Sequence, residues 1–352
     1  MRRGCNLIDL NLFSKLLKDT QATMVLTQKN DKQLEYFLIG RTLAYTIVTT
    51  GICDGSLDKE QVILNIDLKL LHILLKRGFS FELSVHDGKA VFKSTAKMSL
   101  KPLCIEKSDP EVLTVVQSIV QFMKHHSNKD SSEITLYELQ KVKILASLSS
   151  KNKEVIQMTS NFATVELNGT YVILKEKCKP LAINGSILNT LLTEGGAFYK
   201  FGTKLYFMAD SNNTFVIFNM MLPSTTIDLS LLNRGALLEH YTIDTKDIVD
   251  LVYNLNSSLN NVVLDFANST LLMSNDNGEV LTYQFPIMNA DTVSMREYRK
   301  SPNKNIKIEI SSITLPSQVC KLIPFFKGEI DIFLFKNKII FRKNKLYIVF
   351  GR

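Results

Sequence analysis

At 352 residues the chain is too long for one ordinary core, and a prior of about 150 residues per domain sets an expectation of two or three. With 45% hydrophobic and 22% charged residues the balance is globular, and no apolar run approaches the roughly 20 residues that cross a bilayer, so the expectation is a soluble, cytoplasmic protein. The net charge of +8 suits a polyanionic partner, while five scattered cysteines (Cys5, Cys53, Cys104, Cys178, Cys320) without C-x-x-C or Cys/His spacing indicate neither a disulfide framework nor a zinc site.

The start, Met-Arg-Arg-Gly-Cys-Asn, is basic, but an amphipathic helix follows where a signal peptide would place an unbroken apolar core. That helix lies in Ile8-Asp9-Leu10-Asn11-Leu12-Phe13-Ser14-Lys15-Leu16-Leu17-Lys18. The pattern returns as Ile66-Asp67-Leu68-Lys69-Leu70-Leu71-His72-Ile73-Leu74-Leu75-Lys76. Asp9 and Asp67 stand where an N-cap carboxylate accepts the first free backbone N–H groups. Apolar residues then fall at helical spacing, Leu10, Phe13, Leu16 and Leu17 in one copy and Leu68, Leu71, Leu74 and Leu75 in the other. Asn11, Ser14, Lys15 and Lys18 make the opposite face of the first, and Lys69, His72 and Lys76 make one stripe on the second. Taken alone, each also fits an ordinary amphipathic surface helix.

Strands are expected at Ala22 to Thr27, Leu34 to Ile39, Leu43 to Val48 and Val62 to Asn65, then after the second helix at Phe79 to Val85, Ala90 to Ser94 and Met98 to Leu103. A looser stretch follows from Glu106 to Glu133, with a possible helix from Val112 to His126 and a polar linker, Ser127-Asn128-Lys129-Asp130-Ser131-Ser132. The adjacent His125 and His126 read as a solvent-facing pair. The unit then returns with a helix at Leu136 to Ser149 and strands Val155 to Thr159, Phe162 to Leu167 and Tyr171 to Lys175, Asn168-Gly169 suiting a type I′ turn. A fourth copy opens at Ile183-Asn184-Gly185-Ser186 with helix to Leu192 and strands Ala197 to Phe201, Leu205 to Ala209 and Thr214 to Met220. Pro223 to Arg234 reads as a second connector. The fifth copy, Ile243-Asp244-Thr245-Lys246 with helix through Asn256, leads to Val262 to Phe266, Leu271 to Ser274 and Val280 to Phe285. A basic connector, Arg296-Glu297-Tyr298-Arg299-Lys300, precedes strand Ile306 to Ile310. The sixth helix, about Leu315 to Phe325, takes Pro316 in its first turn and Pro324 near its stop. Glu329 to Phe335, Lys338 to Phe341 and Leu346 to Phe350 close the series.

Six helices, each trailed by three strands, group into three two-unit domains. At this point the chain resembles the bacterial DNA polymerase sliding clamp, the β clamp, over nearly its whole length in topology. The most specific local likenesses are Thr164-Val165-Glu166-Leu167-Asn168-Gly169 with its following strand and the ending Tyr347-Ile348-Val349-Phe350. The resemblance implies an α+β fold of three clamp-type domains, 1–120, 131–230 and 236–352. Each holds two strand-helix-three-strand units, with helices on the inner face and antiparallel sheets on the outer face of a ring.

It also implies a non-enzymatic processivity factor, a homodimer encircling duplex DNA without reading sequence. Its partners would be a DNA polymerase, other clamp-binding proteins and an ATP-dependent clamp loader. A sliding ring needs a positive, non-specific lining, and Lys15, Lys18, Lys69, His72, Lys76, Arg77, Lys141, Lys143 and Lys321 lie on or beside the repeat helices. Each cation by itself also fits a solvated helix face. Asp247 and Asp250 on the fifth helix, and a fourth helix without a cation, make the lining uneven. The positions matching the family's client-peptide groove are Leu167, Val172, Ile348 and Phe350, equally at home in a sheet core; Leu231 or Leu232 is the nearest counterpart of the groove proline. No phosphate-loop, dinucleotide, zinc-hydrolase or nucleophile-elbow motif occurs. The five histidines lack partnering motifs, and Asp250, Asp265 and Asp276 read as caps and turns. No cofactor is expected. Rival readings are a clamp-like platform for transcription or repair factors and a repeat-built protein-binding module without DNA.

Overall fold

The unit that repeats along the chain is a strand running straight into a helix. The computed structural model describes residues 10–17, 21–57, 59–76, 81–86, 89–94, 99–104, 109–128, 132–149, 154–210, 213–223, 232, 235, 237–246, 248, 261–275, 277–284, 287–288 and 312–351. The first repeat gives α1 (Asn11–Leu16), β1 (Gln21–Asn30), β2 (Gln33–Arg41) and β3 (Tyr45–Leu57). The second gives β4 (Gln61–Asp67), α2 (Leu68–Lys76), β5 (Phe81–His86) and β6 (Lys89–Ser94), its last expected strand split into β7 (Ser99–Leu100) and β8 (Leu103–Cys104). In the looser stretch, the helix expected from Val112 to His126 is α3 (Pro110–Ser127), 18 residues long.

The third repeat has β9 (Ile134–Tyr137), a 3-10 turn (Leu139–Val142), α4 (Lys143–Leu148), β10 (Val155–Met158), β11 (Ala163–Leu167) and β12 (Thr170–Leu174). Leu136 and Tyr137, expected in the helix, are strand because they pair with Tyr199 and Phe198, a tertiary ladder that overrides helical spacing. β13 (Leu181–Asn184), α5 (Gly185–Glu194), β14 (Gly196–Phe201), β15 (Lys204–Ala209) and β16 (Thr214–Asn219) form the fourth. In the fifth, β17 (Leu237–Asp244) precedes Lys246 and Ile248, both helical; the rest of the helix expected through Asn256 lies outside the described residues. β18 (Asn261–Asp265), β19 (Thr270–Ser274), β20 (Val280–Gln284) and β21 (Ile287–Met288) follow. The sixth has β22 (Ser312–Leu315), α6 (Ser317–Leu322) with a 3-10 turn (Ile323–Phe326), β23 (Glu329–Phe335), β24 (Lys338–Lys343) and β25 (Leu346–Gly351). The strand expected at Ile306 to Ile310 and the connector Arg296 to Lys300 lie outside the described residues.

Three junctions share one device, an Asx residue that ends the strand and caps the helix. Asp67 Oδ1 accepts from Lys69 N at 2.8 Å and Leu70 N at 3.1 Å. Asn184 Oδ1 accepts from Ile187 N at 3.1 Å, and Asp244 Oδ1 from Lys246 N at 2.9 Å. Each satisfies a backbone donor that the helix itself cannot. The first helix departs from this: it is capped by Leu10 with no side-chain hydrogen bond, and Asp9 lies outside the described residues. Asp67→Ala is expected to cost about 1 kcal/mol, read as a lower thermal midpoint.

Contacts divide the chain into two compact units, Met1–Leu139 with Thr190–Met220, and Gln140–Asn189 with Met221–Arg352. In the first, the sheet order is β8-β4-β1-β2-β3-β16-β15-β14-β9, with β5 joined in parallel to the end of β3. Met24 opposite Leu38 and Gly40 opposite Ile47 share one face. Phe13 and Leu17 close on that face at Gly40, where a side chain would overlap them. Val25, Phe37, Ile39 and Val48 point the other way, into a core with Val112, Ile119 and Phe122 of α3. This sheet therefore carries the repeat helix α1 on one face and α3 on the other.

α3 is held at its start by Asp109, whose Oδ1 accepts from Glu111 N at 2.9 Å, and by Arg41, which donates to Glu111 at 2.7 Å. Phe122 stacks on Tyr206 at 4.4 Å and meets Phe215 edge-on. His125 and His126 are not a free solvent pair: His125 lies 5.1 Å from the Phe201 ring and His126 4.9 Å from Tyr199. One turn-by-turn reason suffices, since residues three and four after Phe122 share its buried stripe.

The second unit holds a sheet ordered β13-β10-β11-β12-β25-β24-β23-β17-β21 and a four-stranded sheet ordered β20-β19-β18-β22. Asn168 and Gly169 both take positive φ (49° and 80°), as the expected type I′ turn requires. Asp265 behaves as the expected turn residue: Asn268, through its side chain and backbone N–H, holds the carboxyl below its usual range. Antiparallel pairing of β12 with β25 sets Val172 against Ile348 and Ile173 against Tyr347. Apolar side chains cover both faces: Leu167, Val172, Ile348 and Phe350 on one, and Ile173, Phe333, Ile340, Tyr347 and Val349 in a core on the other.

Candidate nucleic-acid and peptide interfaces

Five of the nine candidate DNA-facing residues, Lys15, Lys69, His72, Lys141 and Lys143, are exposed. Lys76 ends α2 and Lys321 lies in α6, while Lys18 and Arg77 are outside the described residues. On α2 the Asp67 cap orients the first turn, so Lys69 and His72, three apart, share one exposed stripe. Leu70 and Ile73 beside them are each 50% exposed, so this face is mixed rather than purely polar.

Lys15 is paired with Glu194 of α5, whose other oxygen accepts from Asn11 Nδ2 at 2.8 Å. An exposed pair of this kind contributes about 0–1 kcal/mol, little enough for a phosphate to displace the carboxylate. Near Lys141, a hydrogen bond from Lys345 at 2.9 Å holds the Glu176 carboxyl below its usual range, and the charge of Lys141 adds to the effect. Glu194 and Glu176 lie far from these lysines in sequence, and no local pattern marks either.

The four candidate groove residues share one face of the sheet. Val172 pairs with Ile348, Phe350 is two residues beyond Ile348, and Leu167 pairs with Thr170, two residues before Val172. They are 0–3% exposed, and so belong to the packed face of the sheet. Of Leu231 and Leu232, the nearest counterparts of the groove proline, Leu231 lies outside the described residues and Leu232 is buried with Ile173, Phe333 and Val349 on the opposite face. The structure does not bring it to the other four.

Around that opposite face sits a polar cluster absent from the sequence reading. Asp331 Oδ2 accepts from Arg342 Nε at 3.0 Å and Nη2 at 2.8 Å, and Oδ1 accepts from Thr242 Oγ1 at 3.1 Å and faces His240 Nε2 at 3.2 Å. His240 stacks on Phe333 at 4.4 Å, and the Arg342 guanidinium lies 5.0 Å over the same ring. Burial pushes the Asp331 carboxyl up, yet the bonds from His240, Arg342 and Thr242 outweigh it and hold the group at about 2.

An apolar strand is exposed as well. Val280 and Leu281 of β20 are 61% and 46% exposed, and β20 pairs only with β19 among the described residues. No helix among the described residues is long and apolar enough to cross a membrane.

Neither a family model nor a curated protein matches the sequence. Solved structures do match in three dimensions. The DNA polymerase III subunit beta of Pseudomonas aeruginosa has a TM-score of 0.61 at 9% identity, with 96% of this chain and 93% of that one covered. A DNA polymerase III beta subunit from Eubacterium rectale gives 0.61 at 10% identity over 96% and 92%. Pol III beta of Caulobacter crescentus gives 0.61 at 9% over 94% and 90%. Identity this low speaks to architecture alone, and the coverage leaves little of either chain outside the match. The chain has the fold of the DNA polymerase III beta sliding clamps.

Proposed function

We propose that the chain is a non-enzymatic DNA sliding clamp. Two copies would close head to tail into a ring around duplex DNA, each contributing three two-repeat domains (1–120, 131–230, 236–352). The observation that carries this reading is the strand–cap–helix repeat, in a fold that covers more than nine-tenths of this chain and of clamp beta subunits. A ring that slides must hold phosphates without fixing on any base, and the exposed cations Lys15, Lys69, Lys141 and Lys143 on successive repeat helices, with His72 beside Lys69, supply such a surface. Lys18, Lys76, Arg77 and Lys321 would complete it. Exposed apolar Val280 and Leu281 on β20 favour closure by a second copy. A replicative polymerase and other clamp-binding proteins would be tethered by a short peptide near Leu167, Val172, Ile348 and Phe350. Because the ring would be closed, an ATP-dependent loader would open it.

Retention on nicked circular DNA tests the reading. The expected result is a dimer by mass that stays on circles and is lost when they are linearised; a monomer indifferent to DNA topology rejects the clamp. The double variant Lys69→Glu with Lys143→Glu should weaken retention roughly tenfold and lower the salt slope by about two. An unchanged slope would remove these helix faces from the DNA-binding surface.

A further inference from the structure

On the second unit, a recess opens beside the Asn168-Gly169 turn, on the face of the sheet turned away from Leu167, Val172, Ile348 and Phe350. Its volume is about 460 Å³, and Glu154, Val155, Gln157, Thr164, Glu166 and Tyr171 line it. Register places Gln157 opposite Thr164 and Glu166 opposite Tyr171, so these four side chains stand on one face. Thr164 is 1% exposed, yet its hydroxyl has no hydrogen-bond partner, and Glu154 Oε2 is likewise buried and unpartnered. Native structures satisfy buried polar atoms almost without exception, so two such orphans lining one recess mark a missing partner. A carboxylate oxygen can only accept, and a threonine hydroxyl offers two further acceptor positions. The Glu154 oxygen therefore lacks a donor, the Thr164 hydroxyl can accept from the same one, and the carboxylates of Glu154 and Glu166, the latter also bonded by the Tyr171 hydroxyl, favour a donor that is positively charged.

We propose that this recess is a receptor site for the guanidinium of an arginine side chain presented by a protein partner. A guanidinium carries five N–H donors in one plane, enough to serve both carboxylates and the Thr164 hydroxyl together. Val155, exposed at the rim, gives the aliphatic stem an apolar surface to lie on. A bare metal ion fits less well: among the described residues no group of three or more His, Cys, Asp or Glu can hold one. The recess is also open to solvent on one side. A free small cation would remain largely hydrated there, whereas a side chain is held by the backbone that delivers it. This site lies on the other face from the candidate client groove and does not depend on the clamp reading.

The test is calorimetric titration of the full chain with acetyl-Gly-Gly-Arg-Gly-Gly-amide and with the same peptide carrying citrulline, the neutral isostere of arginine. Saturable binding of the arginine peptide is expected, roughly tenfold tighter than the citrulline peptide, reflecting charge-assisted hydrogen bonds. Glu154→Gln and Glu166→Gln should each reduce that preference several-fold. Thr164→Val should weaken the peptide while raising the thermal midpoint of the free chain, because it removes an orphaned hydroxyl without changing shape. No saturable binding, equal binding of citrulline, or affinities unmoved in both carboxylate variants would overturn the proposal. Arginine amide alone binding as tightly as the peptide would assign the recess to a small molecule and overturn the protein partner.

Discussion

Phe122→Ala in α3 is expected to destabilise the first unit by about 3–5 kcal/mol, the range for removing a buried aromatic ring. Phe122 is fully buried, stacked on Tyr206 and edge-on to Phe215, and it meets a core built from β1, β2, β3 and the β15–β16 hairpin. Truncation removes the ring and leaves a cavity whose walls are strands fixed by their own ladders, so they can relax little. Urea unfolding followed by circular dichroism would measure it. A loss below about 1 kcal/mol would mean that α3 is a passive cover rather than part of the core. Val120→Ala on the exposed side of the same helix is the control and should be near neutral.

Asp331→Asn should cost the second unit about 2–3 kcal/mol near neutral pH, because it strips the anion from an Arg342–Asp331–His240 cluster that is only partly open to water. The acid limb of the stability curve provides an independent check. The folded carboxyl titrates at about 2 against an ordinary value of 3.8. Its contribution is therefore complete above roughly pH 4 and is lost as the pH falls through about 2. Unfolding free energies of the wild type and Asp331→Asn should thus converge across that interval. Parallel curves between pH 5 and 2 would show that the cluster does not hold the carboxyl down.

What could be read from the residues was whatever depends on near neighbours. The strand–helix junctions at Asp67, Asn184 and Asp244 were legible because cap and helix lie within three residues of one another. The Asn168-Gly169 hairpin was legible for the same reason. Sheet faces were harder. Tyr171-Val172-Ile173 and Tyr347-Ile348-Val349-Phe350 are unbroken apolar runs because both faces are covered, so no alternation showed which residues point which way. The pairing of β12 with β25 settles it, and with it the separation of Leu232 from the four groove candidates. The α3 helix was visible as a pattern but its role was not, since its partners come from strands as distant as Val25 and Ile217. The Asp331 cluster draws on Thr242 and on Arg342, and the Lys15–Glu194 pair spans 179 positions. Ion pairs across such distances leave no spacing to detect.

The absence of slack between strand and helix at Asp67 and Asn184 has an evolutionary corollary. One residue inserted between Asp67 and Leu68 would rotate every later position of α2 by about 100° around its axis. Lys69 and His72 would swing off the solvent side and Leu71 would leave the sheet. Drift in chain length among homologous proteins should therefore gather in the hairpin tips and avoid these seams. Divergence to the point where sequence likeness fades would then still preserve the count of residues from each ladder to its capped turn.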